Sequence, residues 1–426
     1  MTQQPERPSL ESAPPRPAGA PLALAGIRVA DFTHFLAGPV CTLILSDLGA
    51  EVVKIEKIEG GDDFRRLLPA VSPTEGAPFV WGNRNKRSVA VDLKSPDGVR
   101  IAREIVSKSD VLVENFSTGV MDRFGLGYEA MSALNPKLIY CSVSAYGRSG
   151  PLKDRMGFDP VAQAESGYMS MNGYPADPGM RSGPSIIDMS TGMMAGNAVL
   201  AALFARERLG IGQFIDCVLF DQAVTMAGFH AMNYLVSGNV PPRFGNDSRD
   251  TVPTAAFQAS DGPLYITCSN DRTYQRLVTH AMNRPDLAEH PDFVTNKLRV
   301  QNRDRVLKIL GDIFATDTRA NWADRFRSAG VPGGPINNLA EAFGSEQMRS
   351  RGLVSAVPHA GGGTIPNIAL SFRLSGTPLA DPVGAPVLGQ HTEEILQNLL
   401  GYSRNEISSL IERGVVRGPL AGQAPT

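Results

Sequence analysis

The sequence predicts an α/β protein whose main domain contains a doubly wound, mostly parallel sheet. Over residues 24–235, short apolar runs typical of strands alternate with stretches typical of helices, and Gly, Pro or Asn residues separate them. The chain has 426 residues, which exceeds the usual size of one domain. A second, smaller α+β domain is therefore expected beside the main sheet.

The main domain begins with a β-α-β unit at Ile27. A helix is predicted over about Val40–Leu48, and a second helix starts at Ser95-Pro96-Asp97, where Pro occupies the first helical position. Strands are predicted, in chain order, at IRVADF, EVVKIE, SVAVDL, DVLVENF and KLIYCSVSAYG. Strands that alternate with helices in this way pair in parallel.

Asp188 closes a further predicted strand, PSIID, and precedes residues 189–210, whose Ala- and Met-rich composition predicts a long buried helix. Asp is a favoured helix N-cap, so capping is the ordinary structural role for this residue. A carboxylate at a helix N-terminus is also held ionised, and the ionised form is nucleophilic. Gly192 and Ala195 would leave room for a substrate near the backbone.

Composition and local signals divide the chain into five segments. Residues 1–23 predict a disordered tail, because they are Pro-rich and lack the apolar core of a signal peptide. The remaining segments are a large domain over 24–235, a linker over 236–255, a small domain over 256–330, and a linker with a C-terminal part returning to the large domain over 331–426.

Charge and cysteine usage predict a soluble, cytoplasmic protein. With 41 basic and 43 acidic residues, the net charge of -2 favours neither nucleic acid nor an anionic membrane as a partner. No apolar run reaches the length of about 20 residues that a membrane span needs. The four cysteines lack metal-site or disulfide spacing, so no bound metal is expected: Cys41, Cys141, Cys217 and Cys268.

Basic residues are spread over several segments of the large domain. Most would ordinarily be solvated, but several at one edge of the sheet would suit a phosphate-rich ligand. They are Lys57, Arg84, Lys86, Arg87, Lys94 and Arg123. A nicotinamide cofactor is a weaker interpretation, because only Gly38 of the three glycines of a dinucleotide-binding turn is in place.

Nine segments in a fixed order over residues 24–416 resemble the family III CoA-transferases, which also contain the α-methylacyl-CoA racemases. They include LAGIRVADFTHFLAGPV, GGDDFR, DVLVENFSTGVMDRFGLGYE, GFDPVAQAESGYMSMNG, SIIDMSTGMMAGNAVLAAL and GAPVLGQHTEEIL. The resemblance implies a Rossmann-like large domain and an interlocked homodimer. It also implies an enzyme that moves CoA from an acyl-CoA to a free carboxylic acid, with no permanently bound cofactor.

In that family the residue matching Asp188 is the nucleophile, which forms first an acyl anhydride and then an aspartyl-CoA thioester. The CoA contacts carried over by the resemblance are His34, Ala37, Lys57, Lys94, Asn115, Phe116, Arg123 and Tyr146. For His34, taken by itself, a hydrogen-bonded structural role is the more common case.

Three residues narrow the activity within the family. Leu36 and Ser144 stand where the formyl-CoA:oxalate branch has glutamine and lysine, which disfavours oxalate as the acceptor. Phe158 stands where the racemases have a histidine base, and a phenyl ring carries no proton. A CoA-transferase is therefore favoured over a racemase or epimerase, a non-catalytic acyl-CoA-binding protein and a nicotinamide oxidoreductase.

Overall fold

The computed structural model describes residues 10–419. Its strands are β1 Arg28–Phe32, β2 Glu51–Glu56, β3 Lys86–Val91, β4 Val111–Glu114, β5 Ile139–Ser144, β6 Gln213–Val218, β7 Thr254–Ala259, β8 Gly262–Thr267, β9 Gly333–Pro335, β10 Val354–Pro358, β11 Thr364–Ile368 and β12 Val416–Arg417.

The α-helical segments lie mainly between these strands. They are α1 Ala37–Asp47, α2 Ala77–Gly82, α3 Pro96–Ser107, α4 Val120–Arg123, α5 Tyr128–Leu134, α6 Asp159–Glu165, α7 Ile186–Leu209, α8 Leu219–Met226, α9 Gly228–Ser237, α10 Asp271–Arg276, α11 Pro285–Ala288, α12 Asn296–Gln301, α13 Arg303–Phe314, α14 Arg319–Ala329, α15 Leu339–Phe343, α16 Glu346–Arg351, α17 Thr392–Glu394 and α18 Arg404–Glu412. Single turns of other helical types occur at Asp63–Arg66, Met169–Met171, Leu277–Ala281 and Ile395–Leu399.

The described residues form two compact units. The smaller contains Met169–Arg181 and Asn233–Ser345, and the larger contains residues 10–168, 182–232 and 346–419. Of the predicted tail, residues 1–9 lie outside the described residues. Within the larger unit, the carbonyl of Glu11 accepts a hydrogen bond from the Ala356 amide.

The larger unit is built on a sheet of strand order β12-β3-β2-β1-β4-β5-β6. All neighbours pair in parallel except β12, which runs antiparallel to β3 at the edge. The six parallel strands follow the order 3-2-1-4-5-6 of a doubly wound Rossmann-like sheet. The predicted fold class is therefore confirmed.

Side chains on successive strand residues enter two different cores, because a strand alternates its faces. Ala30 and Phe32 of β1 pack in the core under α3 and α18, whereas Val29 packs in the core under α1 and α7. Both faces of the sheet are thus covered. This explains why the strands are continuous apolar runs rather than alternating ones.

Helix α7 begins earlier than the sequence predicted, since the PSIID segment is not a strand and its last three residues are helical. The helix is also only partly buried. Its inward side chains, such as Ile187 and Val199, lie in the core, while Met193, Met194 and Phe204 are exposed. Within residues 10–419, α7 is the single helix long and apolar enough to cross a membrane, a test that core helices also pass.

The smaller unit has an antiparallel three-stranded sheet of order β7-β8-β9, and helices α10 to α14 belong to the same unit. Phe314 and Trp322 are buried at its centre, with ring centroids 5.0 Å apart. The Arg299 guanidinium is also fully buried, and it lies over the Tyr274 ring and pairs with Asp271. This unit has the α+β character that the sequence predicted.

Candidate active site

The site lies where the order of the parallel sheet reverses. From β1 the chain builds outward through β2 and β3, and then crosses to β4 on the other side of β1. Loops that leave the carboxyl ends of two such strands diverge and open a crevice, which is where doubly wound folds bind ligands. His34 follows β1 at this point, and Asn115 and Phe116 follow β4.

The two loops are joined through backbone and side chain. The His34 amide donates to Asn115 Oδ1 at 2.9 Å, and Asn115 Nδ2 donates to the His34 carbonyl at 2.8 Å. Both functional groups of the Asn115 side chain are thereby used to hold the loop. The structure therefore gives Asn115 a positioning role, in addition to its place in the wall of the site.

Phe35 adopts a left-handed backbone conformation, with φ of 63°. Such a conformation is strained for a bulky residue and persists where neighbouring contacts enforce it. Here the Phe35 amide donates to the buried Asp62 carboxylate at 3.1 Å, and the next turn starts α1. The chain thus reverses sharply enough to place Ala37, the first residue of α1, in the wall of the site.

Two cavities meet at His34 and Phe116. The first has a volume of about 280 Å³ and is lined by the predicted contacts His34, Ala37, Asn115, Phe116 and Tyr146. It is also lined by the predicted nucleophile Asp188 and by Leu36, Ser144 and Phe158. The second lies beyond β2 and β3 and is lined by residues including Lys57, Asp63, Lys94 and Phe124. A ligand could therefore run along the carboxyl edge of the sheet from Lys94 to Asp188.

A buried ionic cluster supports the turn after β1. Lys86 pairs with Asp31 at 3.1 Å and Lys54 with Asp62 at 3.1 Å, all fully or nearly fully buried. Burial opposes ionisation of Asp31, but Lys86 and Lys54 hold its pKa at about 2. Burial lowers the pKa of Lys86 to about 8, against the attraction of Asp31.

Three of the basic residues form ion pairs within the fold. The sequence predicted that they would be solvated or would lie together around a phosphate-rich ligand. Lys86 belongs to the buried cluster, and Arg84 is buried against Asp47. Arg87 pairs with two glutamates, Glu51 and Glu394. The tertiary fold brings acidic side chains of other strands and helices beside these cations, which linear spacing does not reveal.

Asp188 is the third residue of α7 and lines the first cavity. Burial, and secondarily the charge of Asp159, raises its pKa from 3.8 to about 7. The direction of this shift is opposite to the expectation that the helix N-terminus would hold the carboxylate ionised. The carboxylate is instead poised near neutrality, as is common for catalytic groups.

The capping role expected for Asp188 belongs to another residue. The hydroxyl of Ser185, at the N-cap position, makes no capping bond with any described residue. The buried carboxylate of Asp159 accepts hydrogen bonds from the Ile187 and Asp188 amides, at 2.7 and 3.1 Å. Because Asp159 occupies these donors, they are unavailable to the Asp188 side chain.

Gly192 makes room for a helix and not for a substrate. A Cβ at this position would lie 2.5 Å from the Ala37 carbonyl oxygen and 2.7 Å from the Val40 Cβ. The glycine therefore allows α7 to pack closely on α1. This close packing brings Asp188 and the turn after β1 into one cavity.

Three further predicted CoA contacts, Tyr146, Lys57 and Arg123, lie in different places. Tyr146 lines the first cavity, where its hydroxyl donates to Glu165 at 2.7 Å. Lys57 lines the second cavity and pairs with Asp63 at 2.7 Å. Arg123 is exposed at the end of α4 and lies outside the lining of both cavities. Within residues 10–419, no group of three or more His, Cys, Asp or Glu could hold a metal ion.

Comparison with known proteins identifies the family. The family model described as CoA-transferase family III matches residues 24–392. The chain belongs to CoA-transferase family III. It is therefore an enzyme of the CoA-transferase class, as the motifs predicted, and CoA is carried by its substrates.

Named relatives of this CoA-transferase act on different acids. A succinyl-CoA:glutarate CoA-transferase of Mus musculus is 39% identical, with 92% of this chain and 90% of the relative covered. An acetyl-CoA:oxalate CoA-transferase of Acetobacter aceti is 38% identical, with coverage of 81% and 87%. A solved CAIB/BAIF family protein from Brucella suis is 35% identical and superposes with a TM-score of 0.81 over 88% of this chain and 99% of that chain.

Several lining residues of the CoA-transferase were missed at the level of sequence. Phe35 contacts Phe158, with ring centroids 6.0 Å apart, and Arg148, Lys153 and Arg155 line the first cavity. The cations lie in the loop after β5, whose residues carry no periodic pattern. Asp159 follows Phe158 in the GFDPVAQAESGYMSMNG segment, but nothing in the sequence distinguishes it from an ordinary helix-start aspartate.

Proposed function

We propose that this chain transfers CoA between two dicarboxylic acids through covalent intermediates on Asp188. The observation that carries the proposal is the position of the Asp188 carboxylate, half-buried in the cavity at the switch point of the sheet. A carboxylate with a pKa of about 7 is substantially ionised at neutral pH and remains a good nucleophile.

In the proposed first half-reaction, an Asp188 oxygen attacks the thioester carbon of the donor and a C–O bond forms. The C–S bond then breaks, and the CoA thiolate leaves a mixed anhydride behind. The thiolate attacks the Asp188 carbonyl carbon, which releases the donor acid as a carboxylate. The enzyme now holds an aspartyl-CoA thioester.

The second half-reaction reverses these steps with the acceptor. Its carboxylate attacks the aspartyl carbon and expels the thiolate, which forms a second mixed anhydride. The thiolate then attacks the acceptor's acyl carbon, and the Asp188 carboxylate leaves. No net proton is consumed, which agrees with a site where Phe158 replaces a second base.

The two cavities could bind different parts of an acyl-CoA substrate. We assign the thioester and its pantetheine arm to the first cavity and the nucleotide to the second, beside Lys57 and Lys94. The apolar side chains of Phe35, Leu36 and Phe158 surround the acyl end. An apolar wall would limit the access of water to the anhydride and so favour transfer over hydrolysis.

Dicarboxylic acids are the proposed substrates for two reasons. The names of the relatives include succinyl, glutarate, malate and oxalate, all of them diacids or acyl groups of diacids. The first cavity is also lined by Lys153, and by Arg148 and Arg155, which pair with Glu114 and Glu165. A cationic lining of this kind attracts a second carboxylate. Succinyl-CoA as donor and a C4 to C6 diacid as acceptor are the first pair to test.

We further propose that the enzyme is a cytoplasmic homodimer that binds neither nucleic acid nor membrane. The net charge of -2 gives no attraction to nucleic acid or to an anionic membrane. The exposed apolar side chains of α7 and α8, such as Met194, Phe204 and Val224, support a surface that binds a second copy of the chain. Sedimentation of the purified chain tests the dimer. A monomer at micromolar concentration would contradict it.

The activity is tested by incubating the chain with a panel of acyl-CoAs and acids and measuring exchange by mass spectrometry. We expect CoA to move between diacids, with hydroxylamine modifying Asp188 during turnover. Incubation in heavy water separates the racemase alternative, which would place deuterium at the α-carbon. Full transfer by an Asp188→Ala variant would refute the proposed nucleophile, and acyl-CoA binding without transfer by the parent chain would favour a binding protein.

A further inference from the structure

The Asp159 carboxylate is buried in the larger unit, with 1% of its surface exposed, and each of its oxygens has a separate task. Oδ2 accepts the Ile187 and Asp188 amides, and Oδ1 accepts Gln163 Nε2 at 2.6 Å. Gln163 is buried as well, and its Oε1 accepts the Ser182 amide at 2.9 Å. A short chain of hydrogen bonds therefore joins α6 to the segment that leads into α7.

This arrangement replaces an ordinary helix cap by a charged residue from another element. Hydrogen bonds from amides to a carboxylate are stronger than bonds to a neutral hydroxyl. Two such bonds hold the first turn of α7 at the point where the Asp188 side chain begins. Small errors in the position of an attacking atom reduce rates strongly, by about 100-fold for 1 Å.

We propose that Asp159 is a positioning residue for CoA transfer, which orients Asp188 and occupies the helix amides that would otherwise stabilise the Asp188 carboxylate. Asp159 touches neither substrate nor reacting atoms in this role. The inference rests on the proposed function of Asp188. The proposed role of Asp159 is separate from that of its neighbour Phe158, which distinguishes a transferase from a racemase.

The charges around Asp188 support this role. The titratable or charged groups that share its cavity are His34, Tyr146, Arg148, Lys153, Asp154 and Arg155. On the helices packed against α7, Asp159 of α6 bonds to the α7 amides and Glu165 of α6 bonds to Tyr146 of the cavity. Asp47 of α1 pairs with Arg84 and Asp221 of α8 is exposed, and neither lines the cavity. After burial itself, Asp159 is the group that raises the pKa of Asp188. A more basic carboxylate attacks a thioester faster once it is ionised.

The test compares Asp159→Asn and Asp159→Ala with a control, Asp221→Asn. Asparagine keeps an oxygen for the two amides but removes the charge, and Asp221 is an exposed aspartate at the same third position of its own helix. For Asp159→Asn we expect the pH midpoint of kcat/KM to fall by about half a unit or more. For Asp159→Ala we expect kcat to fall about 100-fold, with a smaller change in the KM for acyl-CoA. The control should match the parent chain.

An unchanged pH midpoint in folded Asp159→Asn would overturn the proposal, because a purely structural role would lower stability without moving the midpoint. If Asp159→Asn does not fold, Gln163→Leu takes its place, since it releases Asp159 on one side and leaves both charges present. A kcat equal to that of the parent in Gln163→Leu would then overturn the proposal. If Asp188→Ala itself retains transfer, the proposed function fails, whatever Asp159 does.

Discussion

Replacing the Asp188 carboxylate by an amide is expected to stabilise the protein while it abolishes transfer. The pKa of Asp188 is raised to about 7 by burial and by Asp159, whereas its ordinary value is 3.8. A raised carboxyl pKa means that folding favours the protonated form. Stability from this group is therefore complete below the ordinary value and is lost as the pH rises to about 7.

The size of the effect follows from the shift. A change of about three pKa units corresponds to an upper limit of about 4 kcal/mol at 1.36 kcal/mol per unit. Because Asp188 is only partly buried, solvent screening reduces this to about 2 kcal/mol. The amide of the Asp188→Asn variant mimics the protonated carboxyl and carries no such loss at pH 8. A gain of this size raises Tm by a few degrees.

Thermal unfolding of Asp188→Asn and the parent chain, followed from pH 5 to pH 8, measures this difference. The advantage of the variant should grow with pH and level off above about pH 7. Asp221→Asn, the same change at an exposed helical position, should show no such trend. A difference in Tm that does not vary with pH, or a variant less stable than the parent at pH 8, would refute the reasoning.

Three further predictions concern the surroundings of Asp188. Gly192→Ala should lower Tm, because its Cβ would lie 2.5 Å from a carbonyl of α1, whereas Gly196→Ala, with its nearest atom at 3.4 Å, should leave Tm unchanged or higher. Asn115→Ala should raise the KM for acyl-CoA about tenfold by removing both bonds to the His34 backbone, and an unchanged KM would contradict the loop-holding role. Phe158→Ala should raise the ratio of acyl-CoA hydrolysis to transfer in a mass-spectrometric assay, since the ring is 53% exposed at the cavity; an unaltered ratio would show that the ring does not exclude water.

The errors at α7 have a common physical origin. Read linearly, Asp188 is the polar residue between an apolar run and a helix, which makes it a natural N-cap. The helix starts at Ile186, and its cap comes from Asp159, which lies 29 residues before Asp188. Local propensity describes the structure that a segment favours in isolation. The cap of α7 depends instead on the packing of α6 against α7, which places Asp159 beside the helix amides.

The same distinction explains the basic residues and the glycine. A lysine in a strand looks solvated until the fold places an acid beside it, as with Lys86 of β3 and Asp31 of β1, which are two strands apart in the sheet. Gly192 suggests space, but only the approach of α1 shows what fills that space. Each case depends on a contact between segments far apart in sequence. Composition and local spacing do not predict such contacts.

The alternation of strands and helices and the family could be predicted from the sequence, because periodicity and ordered motifs are local properties of the chain. The same motifs made Asp188 the candidate nucleophile. The strand order 3-2-1-4-5-6, and the cavity that His34, Asn115 and Asp188 share, follow only from the folded chain. The raised pKa of Asp188 has the same origin. Burial and the charge of Asp159 cause it, and both depend on groups that only folding brings together.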